Sequence, residues 1–339
     1  MMQVGAAPEA LIAGLRGRAV SRTDWQSVIA LANRTLLTPA LFSALVHSGE
    51  IDRLPGDVRE YLGFIHDCNW ERNVRLRAQL AEAVAALNRR GIVPLLLKGA
   101  VPLFLSPASR IPARMTSDLD LSVEAADEAG AQECLGELGY MPLADGREMA
   151  RPQDAGVLEL RRTLRRTQGI EFGPSTLVER DGLRANIPSP QSRALHWIVH
   201  DLLKEGDYWR ARIDLRHLHD LAQMAESDDV DWTSLRAAMP DQRSRNALDI
   251  QLLALHDLFG ARVPSEHTRR PMVRFQHWRR IFTARHPVIG APVRLAGNLA
   301  WGAWRFSQSD DLAQRGPVDL ARRTARTLLE SDYRSHSLW

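Results

Sequence analysis

Lysine is nearly missing from this chain of 339 residues: of its 44 basic side chains, only Lys98 and Lys204 are lysines. Cysteine is as scarce. Cys68 and Cys134 are too few and too far apart for a disulfide framework or a CxxC metal site, so a reducing compartment is expected. No run approaches the roughly 20 uninterrupted apolar residues of a spanning helix, because Lys, Arg or Asp breaks each longer stretch. The opening MMQVGAAPEALIAGLRGRAV has no basic segment ahead of an apolar one, so no signal peptide is expected, and the location expected is cytoplasmic, away from membranes. Internal repeats and low-complexity tracts are lacking too. What remains is an apolar share of 45% and a net charge of +3, in a chain long enough for two or three compact units with large cores.

Three regions follow one another. Residues 1–90 carry apolar positions at three- and four-residue spacing, as in TDWQSVIALANRTLL and VREYLGFIHDCNWERNVRLRAQLAEAVAALNRRG. Thr23 with Gln26 is the expected capping box of the first, and Gly91 the expected stop of the second. Residues 91–185 alternate strand and helix: IVPLLL as a buried strand, a short helix with Pro102 in its first turn, DLDLSV as a second strand, EAADEAGAQECLGELGY as a helix ending at Gly139, and GVLELRR as a third strand. Residues 186–339 return to helices, the first opened by Ser189 or Pro190. The fold class expected is α+β, a small mixed sheet flanked by helical regions.

DLDLSV is a strand with two charges in it. Alternation puts Leu119, Leu121 and Val123 on one face, and Asp118, Asp120 and Ser122 on the other, with Asp118 and Asp120 about 7 Å apart. Carboxylates held that close repel unless a cation lies between them, and oxygen-only ligands suit Mg²⁺, which binds through one or two carboxylates plus substrate phosphates. Glu159 on the third strand could face the same way. Upstream, Lys98 supplies a point charge and Gly99 a close backbone approach at a helix start, while Arg114 and Ser117 stand just ahead of Asp118. Metal-binding carboxylates and phosphate donors within one short stretch are the inventory of phosphoryl or nucleotidyl transfer.

LLLKGAVPLF, then Arg114, then TSDLDLSV resembles the core motif of the uncharacterised nucleotidyltransferase family within the DNA polymerase β-like superfamily, and is similar to AbiE-type toxin nucleotidyltransferases. With WERNVRL before the motif and IPSPQSRALHWIVHDLL and ARIDLRHLHDLAQM after it, the resemblance spans roughly residues 20 to 235. It implies an enzyme that moves an NMP from an NTP to an acceptor hydroxyl with two Mg²⁺ ions, pyrophosphate leaving. It makes Asp118 and Asp120 the metal pair, Lys98 and Gly99 the phosphate loop, Arg114 an assisting cation, and Glu159 the third carboxylate, with Glu171 as its substitute. Two departures stand out: Ala100 follows Gly99 where many relatives have serine, and Arg161 stands where relatives often have histidine.

Other readings were open at this level. A glycosyltransferase also uses Asp-x-Asp, but the short core lacks room for a nucleotide-sugar domain. A non-catalytic nucleotide-binding module and a toxin acting on tRNA are the alternatives. His196 and His200 are spaced i, i+4, but Trp197 occupies the place of a metalloprotease glutamate, so packing or hydrogen bonding is expected of them. Asp214, Arg216, His217, His219 and Asp220 read as an interhelical polar network. Arginines at 161, 162, 165 and 166 and at 269, 270, 274, 279 and 280, the latter set with Phe275 and Trp278, make nucleic acid a possible but not favoured partner. The acceptor, whether small molecule, protein or RNA, is not written in the sequence.

Overall fold

The computed structural model describes residues 6–18, 23–107, 109–143, 147–163, 166–167, 170–227, 230–286 and 288–307. The side chains of Arg165 and Arg166, one half of the first arginine group, lie outside what is described. Helices α1 (Ala6–Leu15), α2 (Trp25–Arg34), α3 (Thr38–His47) and α4 (Gly56–Arg89) come first. Asp24, not Thr23, caps α2: its carboxylate accepts from the Ser27 amide at 3.3 Å and the Ser27 hydroxyl at 2.6 Å. The helix starts at Trp25, so the N-cap position falls to Asp24. Gly91, at φ +78°, ends α4 where expected.

A sheet of seven strands follows, larger than the three-strand unit read from sequence. Its strands are β1 (Leu95–Leu96), β2 (Asp118–Val123), β3 (Met141–Pro142), β4 (Glu148–Ala150), β5 (Val157–Arg162), β8 (Ser175–Arg180) and β9 (Leu183–Pro188), in the order β3-β4-β5-β2-β1-β9-β8. Strands β6 (Arg166–Thr167) and β7 (Ile170–Glu171) form a separate pair. Helices α5 (Ala100–Leu105) and α6 (Glu128–Glu137) lie between β1 and β3 in the chain. β1 is antiparallel to β2 and parallel to β9, and β2 is parallel to β5, so the sheet is mixed. The β8–β9 hairpin escaped the sequence reading because β8 is an edge strand, exposed at four of its six positions, and carries little apolar alternation.

Helices complete the chain. They are α7 (Pro190–Ile198), capped by Ser189, a π-helical turn at Val199–Lys204, α8 (Asp207–Arg210), α9 (Leu215–Ser227), α10 (Trp232–Ala237), α11 (Gln242–Ala254), a second π-helical turn at Leu255–Phe259, α12 (Ser265–Thr268), α13 (Pro271–Arg285) and α14 (Ala291–Ser307). Among the described residues no helix is long and apolar enough to cross a membrane.

Two apolar cores result. One joins α1–α3 and the start of α4 to the helices after the sheet, and the other packs the end of α4, α5 and α6 onto one face of the sheet through Leu119, Leu121, Leu158 and Leu160. The 34 residues of α4 span about 51 Å and run from one core to the other. Between Leu62 and Leu76 its fully buried positions are polar, Asn69 and Asn73, and that is where it meets the loop leading into β2.

Candidate active site

Parallel pairing of β2 with β5 sets Asp120 directly opposite Glu159 and Asp118 opposite Val157. Both aspartates and Glu159 thus project from the sheet face opposite Leu119 and Leu158. Carboxylate oxygens of Asp118, Asp120 and Glu159 all lie within 4.8 Å of one another. Asp120 is 1% exposed and Glu159 8%, so two of the three charges are buried on a face of their own. β5 is an interior strand, paired on its far side through Glu148 opposite Glu159, so Glu159 is not a solvated edge charge. Glu171 belongs to the separate β6–β7 pair and stands outside the cluster.

Two cations sit against these carboxylates. Lys98 donates from Nζ to Asp120 Oδ1 at 2.7 Å, and Arg161 donates from Nη2 to Glu159 Oε1. Burial pushes the Asp120 carboxyl up to about 6, with Lys98 opposing and Asp118 adding to the rise. Its other oxygen, Oδ2, is buried without a hydrogen-bond partner. A buried, unpartnered carboxylate oxygen among all-oxygen donors fits a hard divalent cation such as Mg²⁺. Lys98 reaches Asp120 from a left-handed backbone, φ +45°, a conformation that costs a non-glycine residue on the order of 1 kcal/mol and is kept at sites that need it.

The loop before β2 is held by α4. Asn73 is fully buried and donates from Nδ2 to the carbonyls of Pro112 (2.9 Å) and Arg114 (2.8 Å), while Asn69 donates to Ala113 at 3.2 Å. Arg72 donates to the carbonyls of Thr116, Ser117 and Ala155, clamping the starts of β2 and β5 together. In sequence WERNVRL is only a helical lead-in; Asn69 and Asn73, four apart on the buried stripe of the helix, are the signal for this role. Asn73→Ala is expected to cost about 1–3 kcal/mol in urea unfolding, because it leaves two part-buried carbonyls without their donor. A cost under about 0.5 kcal/mol would show that the loop holds itself.

Arg114 does not reach freely into the site. Its Nε donates to Asp220 Oδ2 of α9 at 2.8 Å, and its guanidinium lies 5.6 Å from the Trp197 ring, tying the motif loop to the later helices. Ser117 donates to the neighbouring Asp118 at 2.9 Å. Gly99 has an ordinary φ of −66°, so its need for glycine is spatial: a Cβ there would stand 2.7 Å from Thr116 Cγ2 and 2.9 Å from Arg114 Nη1. That space is filled by protein side chains rather than left open for a phosphate. Gly99→Ala should therefore push Thr116 and Arg114 aside and cost about 1–3 kcal/mol in urea unfolding, the range of an overpacked site.

Above this face opens a cavity of about 1360 Å³, lined by Lys98, Arg114, Ser122, Arg161 and Glu171 on the sheet side and by residues of α3, α7 and α9 on the helical side. Lys98 and Arg161 form part of its lining while Asp120 and Glu159 do not, which places the two cations between the buried carboxylates and the open space. His196 also lines it; burial first, then His200, Lys98 and Arg161, pull its pKa down to about 3, so it is a neutral hydrogen-bonding group. Its ring stacks on His200 at 6.2 Å, and the two do not share a ligand site. A second set of ligand-type groups, His200, Asp201 and His217, is satisfied internally. Asp201 faces His200 Nδ1 at 3.0 Å and His217 Nδ1 at 2.9 Å, and His217 lies against Trp197 with ring centroids 4.0 Å apart.

A seven-stranded mixed sheet with a carboxylate trio under a basic cavity defines a class, and the sequence comparison names it. The chain belongs to the family of uncharacterised nucleotidyltransferases, whose model matches residues 21–260. No curated protein matches it. Similar solved structures are distant: an antigenic nucleotidyltransferase-like protein from Paracoccidioides brasiliensis (16% identity, 58% of this chain and 97% of that one, TM-score 0.40), and ANT(2″)-Ia in complex with adenylyl-2″-tobramycin (12%, 51% and 96%, TM-score 0.35).

Proposed function

We propose that the protein transfers a nucleoside monophosphate from an NTP to a hydroxyl of an acceptor, with Asp118, Asp120 and Glu159 holding Mg²⁺, two ions in the full site. The observation that carries this reading is the register that sets Asp120 opposite Glu159 beside Asp118, with Asp120 Oδ2 buried and unpartnered. A bound divalent ion supplies charge neutralisation on the triphosphate and acidity to the acceptor hydroxyl. Lys98, which lines the cavity, orients the phosphates, while Arg114, held by Asp220, and Ser117, bonded to Asp118, fix the loop that carries the metal pair. The acceptor oxygen bonds to the α-phosphorus, the bridge to the β-phosphate breaks, and pyrophosphate leaves with the bonding electrons. The hydroxyl proton passes to a Glu159 oxygen. Enclosure by α3 and His66 of α4 on one side and by α7 and α9 on the other selects the acceptor.

Full-length protein incubated with each α-³²P NTP, Mg²⁺ and the small-molecule, protein and RNA fractions of a lysate should label one fraction, and chelation by EDTA should stop it. NTP binding with no label in any fraction would instead support a nucleotide-binding module without turnover.

A further inference from the structure

The cavity is larger than the roughly 300–1,000 Å³ typical of a pocket for one ligand, so it has room for a nucleotide and a second molecule together. Its cations are more numerous than a triphosphate needs. Lys98 and Arg161 stand at the carboxylates; Arg114, bound to Asp220, stands with Arg193, Lys204 and Arg216 on the side of α7, the π-helical turn and α9. The lining holds three acidic residues, Glu124, Glu171 and Asp220, against eight lysines and arginines, and Arg114 already engages Asp220; outside the lining, Asp214 stands near Arg216 and Glu205 beside Lys204. Arg216 Nε and His196 Nε2 are buried donor or acceptor atoms without a partner, and both residues line the cavity. Both lysines of a chain otherwise furnished with arginine line it as well. Lys204, an exposed residue at the cavity rim, has its pKa lowered by partial burial and by Arg161 and Lys98, with Glu205 and Glu159 opposing, so a second mobile ammonium stands within the field of the reaction centre. A lysine is a compact point charge on a flexible stem and follows a ligand's oxyanion where a fixed guanidinium fork does not.

We infer that the acceptor is an anion, a hydroxyl compound bearing a phosphate or a carboxylate, and that Lys204 binds that oxyanion at the cavity wall. This rests on the nucleotidyl-transfer reading, which supplies the hydroxyl; the anion site itself rests on the cavity alone.

The test is calorimetric titration of full-length protein loaded with Mg²⁺ and AMPCPP, an ATP analogue that cannot break between its α and β phosphates. Inorganic phosphate, malate and the cationic polyol tobramycin serve as second ligands. Phosphate or malate should bind the loaded protein, whichever is tighter showing the acceptor's anionic group. Lys204→Gln should weaken that binding about tenfold or more while the AMPCPP affinity stays within about twofold. The proposal is overturned if neither anion binds, if either binds only by displacing AMPCPP, if tobramycin binds tighter than both, or if Lys204→Gln weakens AMPCPP as much as the anion. Should no nucleotide bind while phosphate does so through Lys204, the transfer reading fails and the anion site stands.

Discussion

Asp120→Asn is expected to lower nucleotidyl transfer by at least ~10³-fold with the fold intact, the removed charge being worth several kcal/mol to the triphosphate transition state. Asparagine keeps the size of the side chain and one oxygen for Lys98 at 2.7 Å from the present carboxylate, but offers no charge to a cation. Its effect on stability should be small. Burial that pushes Asp120 up to about 6 already opposes the charged form, and losing that opposition offsets the loss of the Lys98 ion pair. Asp118→Asn should act in the same direction and less strongly, about 10²-fold, because Asp118 is the more exposed member of the trio. Initial rates of label transfer, read beside melting temperatures, separate the effects. A rate within tenfold of wild type in Asp120→Asn would remove the carboxylate cluster from the chemistry.

Much of this site was readable because a strand's period is fixed. Once DLDLSV is a strand, Asp118 and Asp120 share a face whatever surrounds them, and Glu159 in VLELRR falls on the same face if β5 lies alongside in register. What alternation cannot provide is the neighbour: nothing in the sequence told that β5 is parallel to β2 and interior, or that a β8–β9 hairpin extends the sheet beyond β1. Long-range partners were similarly hidden. Arg114 was expected to aim at phosphate, and it is held by Asp220, 106 residues away, a pairing that belongs to tertiary packing. Asn69, Arg72 and Asn73 carry no role in the sequence because a polar residue on a helix is solvated by default, and only the helix's burial shows them holding a loop. Of the polar network expected from Asp214, Arg216, His217, His219 and Asp220, His217 meets Asp214 and centres on Asp201, which is unmarked inside an apolar-looking helix, whereas Asp220 turns to Arg114.

That centre gives the largest stability effect. Asp201→Asn is expected to cost about 3–5 kcal/mol near pH 6, the price of breaking a buried ion pair from one side. Although burial pushes Asp201 up, His217 and His200 outweigh it and hold it below the usual carboxylate range. His217 is pushed down by burial, yet Asp201 and Asp214 raise it above an ordinary histidine. With its folded pKa above its unfolded one, His217 stabilises fully below about pH 6.5 and loses that contribution as pH rises through the folded value. Asp201, depressed, contributes fully above about pH 4 and loses its share only as pH falls through its folded value. Nearby Asp207, buried and raised to about 7 by burial and then by Asp201, destabilises the fold progressively between about pH 4 and 7. Both His217 and Asp207 therefore make the wild-type chain less stable as pH climbs. Urea unfolding from pH 6 to 9 should show that decline in wild type, and the cost of Asp201→Asn should shrink across the same interval, because a neutral His217 no longer needs the charge. A cost that stays flat with pH, or never exceeds about 1 kcal/mol, would mean that His217 is held by hydrogen bonding and its stacking on Trp197 rather than by the charge of Asp201.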